Sequence, residues 1–264
     1  KYGFKILDNT ILDLESTNIP QVVGSAGGKP QMSMFPYYYH PLISSTSKHP
    51  IVKNIDRVNM FFPSTIDTVI TDQNIRKEFL LTSSQYSKYQ LAPLNLNFRL
   101  LGQRPRVSNY NRGYQPVGLL LEGRFESAYK NRLTADQEQA LSNLGTKFLD
   151  ESPETKMIVF SDAEFIKNLF NREDNSLTPI GFNKWERKIY RGNKELILNA
   201  IEYLLDENGI LASRAKEYKL RLLDEIEIQE NKLYWQSLNI AFPLFCLGLF
   251  GIVFYFYRRR KYAR

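Results

Sequence analysis

The sequence predicts an α/β protein with an open, largely parallel sheet in its body, followed by a juxtamembrane helix and one C-terminal transmembrane helix. Three observations predict this. Apolar runs at 117–121 and 157–160 read as buried strands with a helical segment between them, the order expected when a crossover helix joins parallel strands. Residues 193–205 carry apolar side chains at helical spacing. Residues 238–257, LNIAFPLFCLGLFGIVFYFY, are twenty in number, and no charge occurs between Lys232 and Arg258.

At about 1.5 Å per residue that last stretch spans roughly 30 Å as a helix, the thickness of a bilayer's hydrocarbon core. Leu238, Phe242, Leu244, Leu247, Leu249, Phe250, Ile252, Val253 and Phe254 supply the lipid-facing surface. Tyr234 and Trp235 at one end, with Tyr255 and Tyr257 at the other, put amphipathic rings at headgroup depth. Arg258, Arg259, Arg260 and Lys261 follow at once, and such charges are retained on the cytoplasmic side. The C-terminus is therefore expected inside and the body outside. A tail-anchored protein with a cytosolic body ranks second, because it would export the tail's five positive charges.

Charge and composition take their meaning from this segment. The net charge is +7, of which the tail contributes five positives, leaving +2 for the rest. A pI near 9.3 then reports topology and does not argue for a nucleic-acid surface. With 43% hydrophobic and 24% charged residues the body is ordinary globular material. The one cysteine, Cys246, lies in the apolar segment, so no disulfide framework is expected. The chain opens on Lys1 without a signal peptide although an outside body needs export, so it reads as the C-terminal part of a longer protein.

Residues 1–15 read as the last strand and exit of a preceding α/β domain. Residues 16–50, rich in Gly, Pro, Ser and Tyr without a period, read as a loop-rich segment. Within it GSAGGK lacks the phosphate-loop pattern, since Val23 and Pro30 stand where a Gly and a Ser or Thr are required, and a flexible turn is expected. His40 and His49 are the only histidines, each followed by proline, and no metal site or cofactor is expected. Tyr37, Tyr38 and Tyr39 would either stack on a ligand or pack the loop onto the body, the second being the better reading.

The body is assigned to 51–209. Strands are expected near 58–62 and 79–82. Arg104, Arg106 and Arg112 belong to a run of five arginines that would serve an anionic ligand or a solvated loop surface, with the loop favoured. A helix is expected over 134–150, with Thr134 and Gln137 as a capping box and Ala140, Leu141, Leu144 and Phe148 on its buried face. Asp162 follows the 157–160 strand, at the carboxyl end where ligands collect in open sheets, yet as an N-cap of a helix over 164–170 it has a simpler role. Asn193 is expected to cap the 193–205 helix and Gly209 to end it. Residues 210–236 read as a charged juxtamembrane stalk, 237–257 as the membrane span and 258–264 as a basic cytoplasmic tail.

Several phrases carry a resemblance. HPIVKNIDRV, FFPSTID and FLLTSSQYS, the LEGRFES step at 121–127, the strand–Ser161–Asp162 turn, and NKELILNAIEYL followed by GILASRAKEYKLRLLD resemble the auxiliary proteins of ABC transporters. Within that family the loop-rich start and single C-terminal anchor are most similar to the subunit associated with gliding motility. The resemblance implies a large extracytoplasmic α/β region, a second membrane helix before Lys1, a bacterial inner-membrane location with a periplasmic body, and an ABC permease and ATPase as partners. It supplies no catalytic motif, and the N-terminal half of the family pattern is absent. The expected function is that of a non-catalytic subunit docking on the permease–ATPase pair. A solute-binding module of the same transporter and a membrane-anchored hydrolase using Asp162 are the alternatives.

Overall fold

The structure, a computed structural model, describes residues 2–262 except 46, 72–73, 97, 103, 173–174, 207–227 and 230. The chain separates into two compact units, Lys1–Tyr218 and Lys219–Arg264. The expected Gly209 cap and most of the expected stalk lie outside the described residues.

The first unit is built on a curled antiparallel sheet, which corrects the parallel expectation. Its main path runs β10 (Thr155–Phe160), β9 (Pro116–Gly123), β7 (Ile75–Thr82), β4 (Lys29–Ser45), β3 (Ser16–Ala26), with β5 (Val58–Asn59) also on β4. Every pairing is antiparallel. The crossover that the sequence suggests between β9 and β10 is instead an excursion whose ends meet. Ser152 N–H donates to the Phe125 carbonyl at 2.9 Å and Ser127 N–H to that of Asp150 at 2.8 Å. The chain therefore returns as a hairpin would. The helix in that excursion, α1 (Ala135–Asn143), buries no residue. It begins where expected, the Gln137 side chain accepting the Thr134 N–H at 3.0 Å, but Leu144 is outside it and exposed.

β9 looks parallel in sequence because both its faces are covered, which produces the continuous apolar run usual in parallel strands. Leu120 and Val117 join the cluster of Ile43, Ile51, Leu80 and Leu196. Leu119 and Leu121 pack with Ile66 and Phe125 on the other side.

The 16–50 stretch, expected as a loop, is for the most part a long hairpin. Gly27 and Gly28, at φ 59° and 76°, form its two-residue turn, a geometry open to glycine at both positions. This disposes of any phosphate loop, which would lead into a helix. Proline was the misleading signal. Pro30 and Pro36 lie where β4 pairs with β3 alone, so the missing N–H groups break no ladder on the far side, and Pro41 still accepts the Met60 N–H at 3.1 Å through its carbonyl. The first residues pair within this unit. β1 (Phe4–Ile6) pairs with β6 (Ile66–Thr68), and β2 (Asn9–Asp13) with β8 (Ser87–Leu91).

One helix packs on the sheet: α2 (Arg191–Leu205), whose Leu196 and Ala200 are buried as expected. Tyr190, and not Asn193, is its N-cap. Asn193 is drawn into the core. Its Oδ1 accepts the Asn59 N–H at 2.8 Å, while its Nδ2 donates to the carbonyls of Asn59 and Phe165, both at 2.8 Å. Gly192 lets the helix come this close, since a Cβ there would lie 2.2 Å from the Asp56 carbonyl oxygen. His49 opens the turn before β5, and its ring meets Tyr203 of α2 edge-on at 4.7 Å.

The second unit is described from residue 228. It contains α3 (Lys232–Tyr262), 31 residues that include Pro243, with Arg259, Arg260 and Lys261 in the last turn. By length and composition α3 can cross a membrane. Its side chains are exposed throughout.

Replacing Asn193 by Ala leaves one N–H and two carbonyls of the buried backbone without this partner. We expect a loss of about 3 kcal/mol, read by denaturant titration of the full chain in detergent. A second prediction concerns Asp13, which is wholly buried. Burial pushes its carboxyl up to about 7, against hydrogen bonds from Ser84 Oγ, Ser84 N–H and Glu15 N–H. The folded chain therefore holds a proton that the unfolded chain releases near 3.8. The stabilisation from that proton is complete below about pH 4 and is lost as pH rises to 7. Stability of the wild type relative to Asp13→Asn should decline over that interval by an amount on the order of 3 kcal/mol, then level off. Parallel pH profiles for the two proteins would contradict this assignment.

Candidate functional site

A cleft of about 390 Å³ opens beside the base of the long hairpin. Tyr37, Phe61, Phe62, Phe98, Phe182 and Trp185 line it, with Ile19 and Pro20 of β3. Four charged or titratable side chains share the lining: His40, Glu164, Lys167 and Lys184. The volume and the ratio of aromatic to polar groups are those of a small-molecule site.

Besides β3 and Phe98, four stretches of chain supply the walls. Tyr37 and His40 lie on β4, and their rings meet edge to face at 4.7 Å. Phe61 and Phe62 follow β5 after Met60. Phe62 adopts φ 52°, a conformation that a bulky residue seldom takes and that surrounding bonds must hold. Two bonds do so: Phe61 N–H donates to Asp162 Oδ2 at 2.9 Å, and Phe62 N–H donates to the Tyr39 carbonyl at 2.8 Å. Glu164 and Lys167 flank a 3-10 turn, Glu164–Ile166, not the longer helix expected there. The last wall is a two-stranded hairpin of β13 (Phe182–Asn183) and β14 (Lys188–Ile189).

That hairpin is pinned from both ends. Asn183, fully buried, donates through Nδ2 to Asn59 Oδ1 at 2.9 Å and accepts the Trp185 N–H at 2.9 Å. Glu186 Oε1 accepts the Asn18 N–H and side-chain amide at 2.7 and 2.8 Å, and Glu186 Oε2 accepts the Tyr190 hydroxyl. Burial, reinforced by that carboxylate, raises the Tyr190 phenol above its ordinary range.

His40 is 5% exposed and its Nδ1 has no hydrogen-bond partner among the described residues. Burial, with the nearby Lys184 ammonium, lowers its pKa to about 4, so the ring is neutral at physiological pH. Lys167 stands 3.9 Å from Glu164, and the two largely offset each other. Lys184 lies over the Trp185 ring at 4.5 Å and has no carboxylate partner among the described residues. The cleft thus carries one uncompensated positive charge beside an aromatic platform.

The residues singled out from sequence scatter around this cleft. Tyr37 lines it. Tyr38 turns to the opposite face against Tyr110 at 5.8 Å, and Tyr39 is 1% exposed with its hydroxyl donating to Gln90 at 2.8 Å. Asp162 stands behind the lining, accepting the Glu164 N–H at 2.7 Å as well as that of Phe61, so it ties the turn to the Phe61–Phe62 wall, although Ala163 and not Asp162 is the N-cap. Burial raises its pKa. Arg104 and Arg106 are exposed elsewhere, and Arg112 donates to the Tyr89 hydroxyl at 3.2 Å. Sequence reading missed Phe62, Phe98, Lys184 and Trp185. Trp185, one of only two tryptophans and set among charged residues in NKWERK, was the available signal.

The sequence model of a family described as "ABC-type uncharacterized transport system" matches residues 1–200. The chain belongs to this family. No curated protein and no solved structure matches. The matched span contains the whole cleft and most of α2, and it places the chain as an auxiliary component of an ABC transport system, a family that is generally non-catalytic.

Replacing Glu186 by Ala removes three hydrogen bonds that hold the hairpin. In a Trp235→Phe background Trp185 is the sole tryptophan, and there Glu186→Ala should shift its emission to the red and lower stability by about 2–3 kcal/mol. Unchanged emission would mean that Glu186 does not position this wall.

Proposed function

We propose that the chain is a non-catalytic, membrane-anchored subunit of an ABC transporter, of the kind associated with bacterial gliding motility, which docks on the permease and ATPase. The observation that carries this reading is α3 in a chain of this family: 31 helical residues ending in Arg259, Arg260 and Lys261. The basic end favours a cytoplasmic C-terminus, which puts the body in the periplasm and the anchor in the bacterial inner membrane. In this reading 210–236 is a stalk, 237–257 the span and 258–264 the cytoplasmic tail, and ATP is hydrolysed by another chain. Arg104, Arg106 and Arg112, exposed on the body, are available to a partner surface.

A second reading, a solute-binding module of the same transporter, is favoured by the aromatic cleft. A hydrolase centred on Asp162 is not favoured, because both carboxylate oxygens accept backbone N–H groups.

Capture of the tagged full-length chain from mild detergent, followed by mass spectrometry, tests the docking reading. Stoichiometric recovery of an ABC ATPase and a permease is expected. Replacing 238–257 by an unrelated membrane helix should abolish that recovery. A chain recovered alone, or with envelope proteins unrelated to transport, would overturn the proposal.

A further inference from the structure

The geometry points to the cleft as a binding site for a flat, singly anionic small molecule, with Trp185 and Phe62 as its stacking surfaces and Lys184 as its charge partner. This rests on the solute-binding reading and goes beyond it by naming the ligand's chemistry.

Shape, charge and backbone strain each contribute. The lining is aromatic on several sides, so a planar ring finds faces and edges to pack against, while a branched aliphatic body would not. Several of these rings are still open to solvent: Phe62 is 36% exposed, Trp185 42% and Phe98 61%. Large aromatic side chains left uncovered around a concavity mark a surface that something else covers.

The charge count selects the sign. Glu164 offsets Lys167 at 3.9 Å, and His40 is neutral, which leaves the Lys184 ammonium. A carboxylate or similar anion placed beside this exposed ammonium, over the Trp185 ring, would gain a charge-assisted hydrogen bond. A cation would find no free carboxylate there among the described residues.

Backbone strain is the independent observation. Phe62 holds φ 52° although it is a bulky residue, and it is kept there by the Asp162 and Tyr39 bonds to the Phe61–Phe62 amides. Such strain collects at ligand sites, where one side chain must be aimed at the cost of local comfort. Here the aimed side chain is a wall of the cleft.

The test is calorimetric titration of the full chain in non-ionic detergent with three probes, each corrected against empty micelles. 2-Naphthoate is flat and anionic, 2-naphthamide is flat and neutral, and cyclohexanecarboxylate is anionic without a flat ring. Saturable one-to-one binding of 2-naphthoate is expected, with the other two at least about tenfold weaker. Lys184→Gln should weaken 2-naphthoate about tenfold and leave 2-naphthamide unchanged, whereas Trp185→Ala should weaken both aromatic probes. Thermal unfolding of each variant confirms that it is folded.

Non-saturable uptake, equal affinity for the acid and the amide, or indifference to Lys184→Gln would overturn the assignment. Capturing the Lys184→Gln chain separates this from the docking reading. Undiminished recovery of permease and ATPase is expected, and loss of both would move Lys184 to the docking surface and overturn the ligand role. If the wild type binds 2-naphthoate as expected but brings no transporter, the transporter reading fails and the ligand site stands.

Discussion

The body depends on a side chain that stands in for a strand. Asn59 belongs to a two-residue pairing with β4, too short to hold an edge by itself. Asn193 completes it by offering an acceptor to the Asn59 N–H and a donor to the Asn59 carbonyl, the pair of bonds that a neighbouring strand would supply. The same amide also reaches Phe165, and the Asn59 side chain receives Asn183. Helix α2, the 3-10 turn and the β13–β14 hairpin are thus tied together by one buried pair, Asn59 and Asn193. Because these groups are 0–1% exposed, each unmade bond would carry the full desolvation cost of its group.

The cleft is a consequence of that knot. Two of its walls lie close in the chain to the knot, Phe61–Phe62 two residues after Asn59 and Phe182–Trp185 around Asn183, and a third begins beside Asp162, which holds the Phe61 amide. Stability and site are therefore the same network. The strained Phe62 backbone survives because polar bonds on both sides of it are satisfied. His40 is the exception, with an unpartnered Nδ1 in a ring of aromatic neighbours, and burial keeps it uncharged.

Much of the local chemistry was legible in the residues. The 117–121 and 157–160 strands, the Thr134–Gln137 start of α1 and the Leu196–Ala200 face of α2 lie where the sequence puts them. Three local signals misled. Proline and glycine at 20–36 read as loop, though in a ribbon paired on one side they break nothing. Asn193 looks like a cap from its residue type, but its partners are 134 and 28 residues away in the chain. The apolar face of the 134–150 segment looks buried, yet α1 buries no residue.

The sequence by itself determined the apolar helix α3, because length and freedom from charge are properties of one continuous stretch. It also determined that 117–121 and 157–160 become strands, through their apolar content. Only the tertiary structure decided that those strands are antiparallel, since direction follows from Phe125 and Ser152 meeting across a 27-residue separation. Only the tertiary structure, too, brought Tyr37, Phe62, Lys184 and Trp185 to one cleft. No periodicity connects those positions, and what joins them is a set of hydrogen bonds between residues distant in the chain.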